Sequence, residues 1–507
     1  MPAGTASPIA SNTAPSSREQ AALPEPIAYS AFTKRSAVLI VALVSTAGFF
    51  SPFTAFVYFP AIRSIAADYG ISIELMNVTV TVYLIIQGLV PPILGDLSES
   101  IGRRPVYLLV FTIYCGASIG LALQRNYAAL LVLRMLQSAG SSGTIALAYG
   151  VIGDIAAPHE RGAYVGLSHI GFNTAPALGP VVGGVMADKV GWPWIFVFLA
   201  TFSGTLLILL VLFLDETARS IVGNGSIPPR GINKTLLQHL RNGRSPEEPR
   251  RSTFRAPNVV PCLKLIFHKN TFPVLLANAT FYMMYSCLQA SLAPLVQRLY
   301  GLSPLQAGLC YLSYGVAGGT ASYSLGLLTD HDYRVVARQH GFSIDRVRGD
   351  DLMRFPIEEA RLRSMRIYLP LCATATVGYG WSLSAHTHLA VPLVLCFIIG
   401  FTVTGVFNVC NTLIVDVHPA YPVTASASVS ITRCLIAAAG VAVIELLLSE
   451  VGPGWTFTII GALCWLMAPV LWLVHQYGWT WRKRRAGREQ ESAAALAAAE
   501  TVVEAKV

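Results

Sequence analysis

Charge is what this sequence has least of. Only 12% of its 507 residues are Asp, Glu, Lys or Arg, whereas soluble domains carry about 25%. A water-exposed globule of this size is therefore excluded, and lipid takes the place of water around the fold. The nine cysteines include no Cys-x-x-Cys pair, and most lie inside apolar runs, so they read as small packed hydrophobes and not as disulfides. His386 and His388 have no sequence-local partner to complete a metal site, and none is expected. There is no GxxxxGK[ST] phosphate loop, which argues against an ATP-hydrolysing engine. With no paired acids and no nucleophile constellation, neither an enzyme nor a cofactor is expected.

What is present is apolar: 53% of the chain. At 1.5 Å per residue, about 20 apolar residues cross a bilayer core of about 30 Å. Such stretches lie at roughly 37–59, 74–94, 105–124, 128–153, 162–187 and 193–214, then at roughly 272–297, 306–328, 366–386, 390–415, 424–449 and 455–477. They do not alternate and are too long for the strands of a membrane barrel. The first follows about 35 Pro-, Ser- and Ala-rich residues and lacks a clear cleavage site, so it is expected to remain as a span. The reading is an all-α integral membrane protein with twelve transmembrane helices.

Basic residues test that count. With residues 1–36 in the cytosol, thirty of the 36 Lys and Arg fall on the cytosolic side and only Arg63, Arg125, Lys189 and Arg298 outside; two arginines lie within spans. This is the asymmetry of the positive-inside rule, and it places both termini in the cytosol. The net charge of +9 is then topology, and no nucleic-acid partner is needed. The organisation follows: 1–36 an unstructured N-terminus, 37–214 one six-helix bundle, 215–271 a cytosolic linker without a convincing apolar face, 272–477 a second bundle with a basic cytosolic insertion at 329–365, and 478–507 a tail that opens with Trp481-Arg482-Lys483-Arg484-Arg485.

An internal repeat supports the division. Gly95-x-Leu97-x-Glu99-x-x-x-Arg103 after the second span recurs as Gly326-x-Leu328-x-Asp330-x-x-x-Arg334 after the eighth. Asp154 before Pro158 recurs as Asp416 before Pro419. Halves related in this way are typical of transporter folds.

The run Gly95-Asp96-Leu97-Ser98-Glu99-Ser100-Ile101-Gly102-Arg103-Arg104-Pro105 resembles the major facilitator signature between helices two and three, with Glu99 and Ser100 where that family usually has Asp and Arg. Arg134 to Gly140 resembles its fourth-helix motif, and Gly179-Pro180-Val181-Val182-Gly183-Gly184 the fifth-helix motif associated with antiporters. Glu216-Thr217-Ala218-Arg219, Val222 to Pro229, and Asp330-His331-Asp332-Tyr333-Arg334 are similar to the fungal drug:proton antiporter (twelve-helix) group. The likeness covers roughly 37–477. It implies two six-helix pseudo-repeat bundles, a small-molecule substrate, proton coupling and a multi-pass location, at the plasma membrane by default or at the vacuole. A monomer is expected.

Each motif also has a physical reading. Gly102 permits a tight turn that Arg103 and Arg104 hold on the cytosolic side. Resemblance points to Glu99 bracing the start of the eleventh helix near Thr424, where a carboxylate gains about 0.3–1 kcal/mol from the helix dipole. Gly171, Pro176, Gly179, Pro180, Gly183 and Gly184 suit close helix packing and a bend. Ionisable groups in spans cost about 2.5–3.5 kcal/mol near a helix centre, so they persist where paired or useful. Arg134 matches the family arginine implicated in proton coupling. Arg433 either faces a cavity or pairs with carbonyls near its helix start. Glu445 is close enough to the outer end to reach water, and His169 either titrates or packs neutral. Helix one carries no acid, and Asp154 is shallow for a proton carrier.

In the family fold a cavity lies between the halves, lined chiefly by helices one, four, seven and ten. The residues expected there are Phe53, Phe56, Tyr149, Tyr282, Tyr285, Gln289, Phe407, Asn408 and Asn411. Rings with a few amides suit large amphipathic molecules. The leading expectation is proton-driven efflux of such compounds, drugs or secondary metabolites; the alternatives are an uptake porter for a small polar solute and a membrane sensor without turnover.

Overall fold

A chain that sheds water must satisfy its backbone within each segment, and helices do so. The computed structural model describes residues 29–156, 158–236, 238, 257–341, 355–418 and 422–504, and among these every regular element is helical. The first half comprises α1 (Lys34–Val57), α2 (Ile62–Tyr69), α3 (Ile73–Ile101), α4 (Arg103–Leu123), α5 (Tyr127–Ser141), α6 (Thr144–Ile155), α7 (Pro158–Lys189) and α8 (Pro193–Phe213). Short helices α9 (Arg219–Val222) and α10 (Val260–Ile266) follow, then α11 (Phe272–Tyr300), α12 (Pro304–Gln339), α13 (Ile357–Leu362), α14 (Met365–Ser384), α15 (Ala390–Val417), α16 (Pro422–Glu450) and α17 (Gly452–Glu504).

The twelve spans are α1, α3, α4, the α5–α6 pair, α7 and α8, then α11, α12 and α14 to α17. Seven helices qualify on length and apolarity alone. The fourth span misses because Ser142 and Gly143 split it, while α7, α11, α12 and α14 are richer in Gly, Ser, Thr, Asn or Tyr and pack against protein. With an even number of spans, the start of α1, the end of α8, the start of α11 and the end of the twelfth span share one face, here the terminal face; the other is the far face.

The packing repeats with a period of six spans. Span one lies against spans four and five, as span seven lies against ten and eleven. Span three packs on four and six, as nine packs on ten and twelve; span two meets four, as eight meets ten. Between halves, span five meets eight and span eleven meets two. Each of these pairs has its counterpart, so the halves are two copies of one bundle related by a pseudo-twofold.

Three segments differ from the sequence reading. The tail does not begin a new segment at 478: α17 runs on to Glu504, as suits its run of Ala, Glu and Arg, all good helix formers. The linker has an apolar side after all, since Ile221, Val222, Cys262, Leu265 and Ile266 are buried; four- and seven-residue helices are too short for that face to show as a period. The insertion starts later than 329, because α12 continues to Gln339. Residues 1–28 lie outside those described.

Candidate functional site

The expected cavity residues divide into those that gather and those that do not. Tyr282 lies 5.8 Å from Tyr285 and 5.6 Å from Phe407, centroid to centroid. Tyr285 in turn lies 6.0 Å from Phe407 and 6.0 Å from Phe56 of the other half. Tyr314, absent from the residues expected at the cavity, stacks on Tyr285 at 5.0 Å. Asn411 accepts from the Asn278 amide at 3.0 Å. Gln289 is buried beside the Tyr285 side chain. Tyr149 meets Phe172 edge-on at 6.0 Å. Phe53 belongs elsewhere: it packs within the first half against Phe49 and Phe198. Asn408 is exposed.

The two intramembrane arginines have different surroundings. Arg134 is 1% exposed. Its guanidinium sits 4.2 Å from the Tyr58 ring and 4.4 Å from the Tyr83 ring, and Nη1 donates to Gln137 Oε1 at 2.8 Å. That is a sealed slot inside the first bundle. Arg433 is partly exposed, with one ring, Tyr282, at 5.0 Å. It lies within electrostatic reach of Tyr149 across the interface. Glu445 is engaged by Arg298 at 3.9 Å near the far face. The His169 side chain lies outside the described residues.

On the terminal face the turn motif builds a network. Gly102 takes φ +110°, a region that side-chain-bearing residues avoid, and a Cβ there would meet the Glu216 carboxylate. That carboxylate accepts from the first two N–H groups of α4, Arg103 at 2.8 Å and Arg104 at 3.2 Å, and from Thr217 and Ala218 at 3.0 and 2.9 Å. The start of a helix offers unsatisfied N–H donors and positive potential, and Glu216 meets both while only 2% exposed. Burial pushes its carboxyl up, and the four backbone donors pull partly back. Arg103 bridges to Asp154 (3.1 Å) and Ser98 (2.5 Å). Arg104 is spent on the carbonyls of Leu214, Ile232 and Val211.

Glu99 does not brace the eleventh helix among the described residues. Its side chain is 58% exposed and comes only within 4.0 Å of Arg103, four residues on. Asp96 is the acid turned toward the linker that joins the halves: it accepts from the Asn258 N–H at 2.8 Å, just before α10. From α10, the Cys262 carbonyl accepts from Ser428 of α16. Three residues separate Asp96 from Glu99, close to one helical turn, so only the fold decides which faces the junction. Gly95 has open space around it.

Toward the far face the halves touch directly. Gly184 is pressed against Pro304 and Gly308 of α12 against the Pro180 carbonyl, while within the first half Gly183 is pressed against the Val57 carbonyl. A methyl group at any of these would force the backbones apart. Gly179 approaches Phe56 and Val57 in the same way, and Pro176 and Pro180 lie within the continuous α7. Gln297 donates to the Pro60 carbonyl at 3.2 Å, and Phe59 lies parallel to Tyr311. Between α3 and α16, Gly88 meets Cys434 and Thr81 meets Ala438 at mid-depth.

Comparison with known proteins agrees with this geometry. The family model described as Major Facilitator Superfamily matches residues 44–441. MFS-type transporter phiD from Fungal sp. is 38% identical over 463 residues, covering 89% of this chain and 70% of phiD. Citrate exporter 1 of Aspergillus niger is 35% identical over 468 residues, covering 90% of this chain and 89% of that protein. Among solved structures, a bacterial homolog to human lysosomal transporter Spinster, in an inward-facing and unoccupied conformation, superposes with a TM-score of 0.60 at 14% identity, covering 89% of this chain and 95% of that one. The chain belongs to the major facilitator superfamily, membrane transporters of small molecules and not enzymes.

Proposed function

We propose that this transporter exports amphipathic organic compounds, drugs or secondary metabolites, in exchange for protons, as a monomer in the plasma membrane with its terminal face in the cytosol. One observation carries the reading. The ring cluster of Phe56, Tyr282, Tyr285 and Phe407 lies where the halves meet, and the halves press together on the far side of it. A solute then reaches the rings from the terminal face, the loading side of an exporter. The basic residues crowded on that face support its cytosolic assignment. The relative named as a citrate exporter supports the outward direction, and the likeness of the Arg134 segment to the fourth-helix motif supports proton coupling. Asp154, Arg433 and His169 are the other groups to test for a coupling role. The glycine seam of α7 and α12 is the pivot on which the halves rock.

Proteoliposomes loaded by an imposed pH gradient test this. Amphipath flux that collapses with an uncoupler is the expected result. Flux indifferent to the gradient sinks the coupling, and ligand binding without any flux sinks transport in favour of a sensor.

A further inference from the structure

We propose that Arg433 is the counter-charge for a carboxylate on the transported molecule, so that the preferred substrates are aromatic or alicyclic organic acids in their anionic form. The inference rests on the transport reading and names the substrate class of the same site. Charge accounting carries it. Across the twelve spans no carboxylate lies at mid-depth: the acids sit toward the span ends, and Glu445, toward the far face, is held by Arg298. No acid is left in the spans to neutralise a cation at the centre.

Of the two central arginines, Arg134 is closed off by two rings and Gln137. Arg433 makes no ion pair among the described residues, has the neighbouring Cys434 side chain as a hydrogen-bond partner, and is partly exposed beside the ring cluster. A guanidinium offers parallel N–H groups that match a planar carboxylate two at a time. In surroundings of low polarity, an unbalanced cation favours an anionic occupant over its neutral or cationic analogue.

The surroundings supply the rest of the recognition. Tyr282, Tyr285 and Phe407 offer faces to an apolar body. Gln289, beside Tyr285, and the Asn278–Asn411 pair offer hydrogen bonds for a hydroxyl or carbonyl. One accessible cation implies one charged carboxylate per molecule at this point.

The test uses a panel of aromatic monocarboxylates, each matched to its neutral amide and to its methylammonium analogue, such as 2-naphthoate, 2-naphthamide and 2-naphthylmethylammonium. Binding to the purified protein in nanodiscs is read by ligand fluorescence. The wild type is expected to bind at least one carboxylate about tenfold more tightly than its amide, and the ammonium most weakly. Arg433→Gln removes that preference, with a thermal midpoint and monodispersity matching wild type reporting an intact fold. Arg433→Lys restores part of it. Should Arg433→Gln prove poorly folded, the wild-type ranking decides alone. Equal binding across all the triads, a preference for the ammonium, or a preference undiminished in well-folded Arg433→Gln overturns the assignment.

Proteoliposome flux of the same compounds separates this from the broader reading. Amide flux without any anion preference leaves transport standing and removes the anion site. Anion binding without flux of any compound does the reverse.

Discussion

The two halves close their terminal ends with opposite chemistry. In the first, a carboxylate from just after the sixth span, Glu216, is buried against the start of the third. In the second, an arginine from just past the twelfth span's apolar stretch, Arg482, reaches Glu358, just before the ninth, at 3.0 Å. The aspartates repeat more faithfully. Asp154 and Asp416 each sit at the end of the fourth span of their half, and each has an arginine at 3.1 Å. Yet Asp154 takes Arg103 from the turn motif, whereas Asp416 takes Arg361 from α13 within the insertion. The repeat preserves where a clamp is needed and leaves its sign and donor free.

Breaking each clamp sharpens the contrast. Glu216→Ala should have the largest effect, because it strands four buried N–H groups; a loss of about 3–5 kcal/mol is expected, read as a lowered thermal midpoint and poor recovery of monodisperse protein. A midpoint near wild type would show the cap is incidental.

Arg482→Met should cost less, about 2–3 kcal/mol at pH 8, because the glutamate it strands can take up a proton. Burial already holds the Glu358 carboxyl above its ordinary range even with Arg482 opposing, and removing the arginine raises it further. A carboxyl with a raised folded pKa favours folding fully only below its unfolded value, about 4.3, and that contribution is lost as pH rises through the folded value. The variant should therefore regain stability relative to wild type as pH falls from 8 toward 5, and a deficit independent of pH refutes this.

Gly102→Ala should cost about 1–3 kcal/mol from backbone strain at φ +110°, and the loss should shrink when combined with Glu216→Ala, since the two clash in the first half only. Additive losses would separate turn from cap. Glu99→Gln is the smallest: under about 0.5 kcal/mol for an exposed pair, with flux within about twofold of wild type. A large loss of flux would restore Glu99 to the junction in place of Asp96.

How much of this could be read beforehand follows the range of the forces involved. Hydropathy and basic-residue placement are local sums over each segment, so the spans and the six-plus-six repeat were visible in the chain. The Glu216 cap joins residues 113 apart, and nothing local to either end announces it; likeness to relatives singled out the segment without saying what it touches. Arg134 was conspicuous as a charge in lipid, but its enclosure by Tyr58 and Tyr83 depends on how α1 and α3 pack. Phe53 and Phe56 are nearly one turn apart and equally apolar, so only the interface decided that one meets Tyr285 and the other stays inside its bundle. Tyr314 was missed because a tyrosine among small residues in a long span carries no signal of its own.

The solitary positive charge of Arg433 has an electrical consequence. When the halves rock, that charge changes the aqueous compartment it faces and so samples the membrane voltage, worth about 2.3 kcal/mol per elementary charge per 100 mV for passage through the whole field. With a bound carboxylate beside it, the pair is neutral and moves with little regard to voltage. An interior-negative potential therefore acts chiefly on the empty carrier, drawing it back toward the side where the next molecule waits.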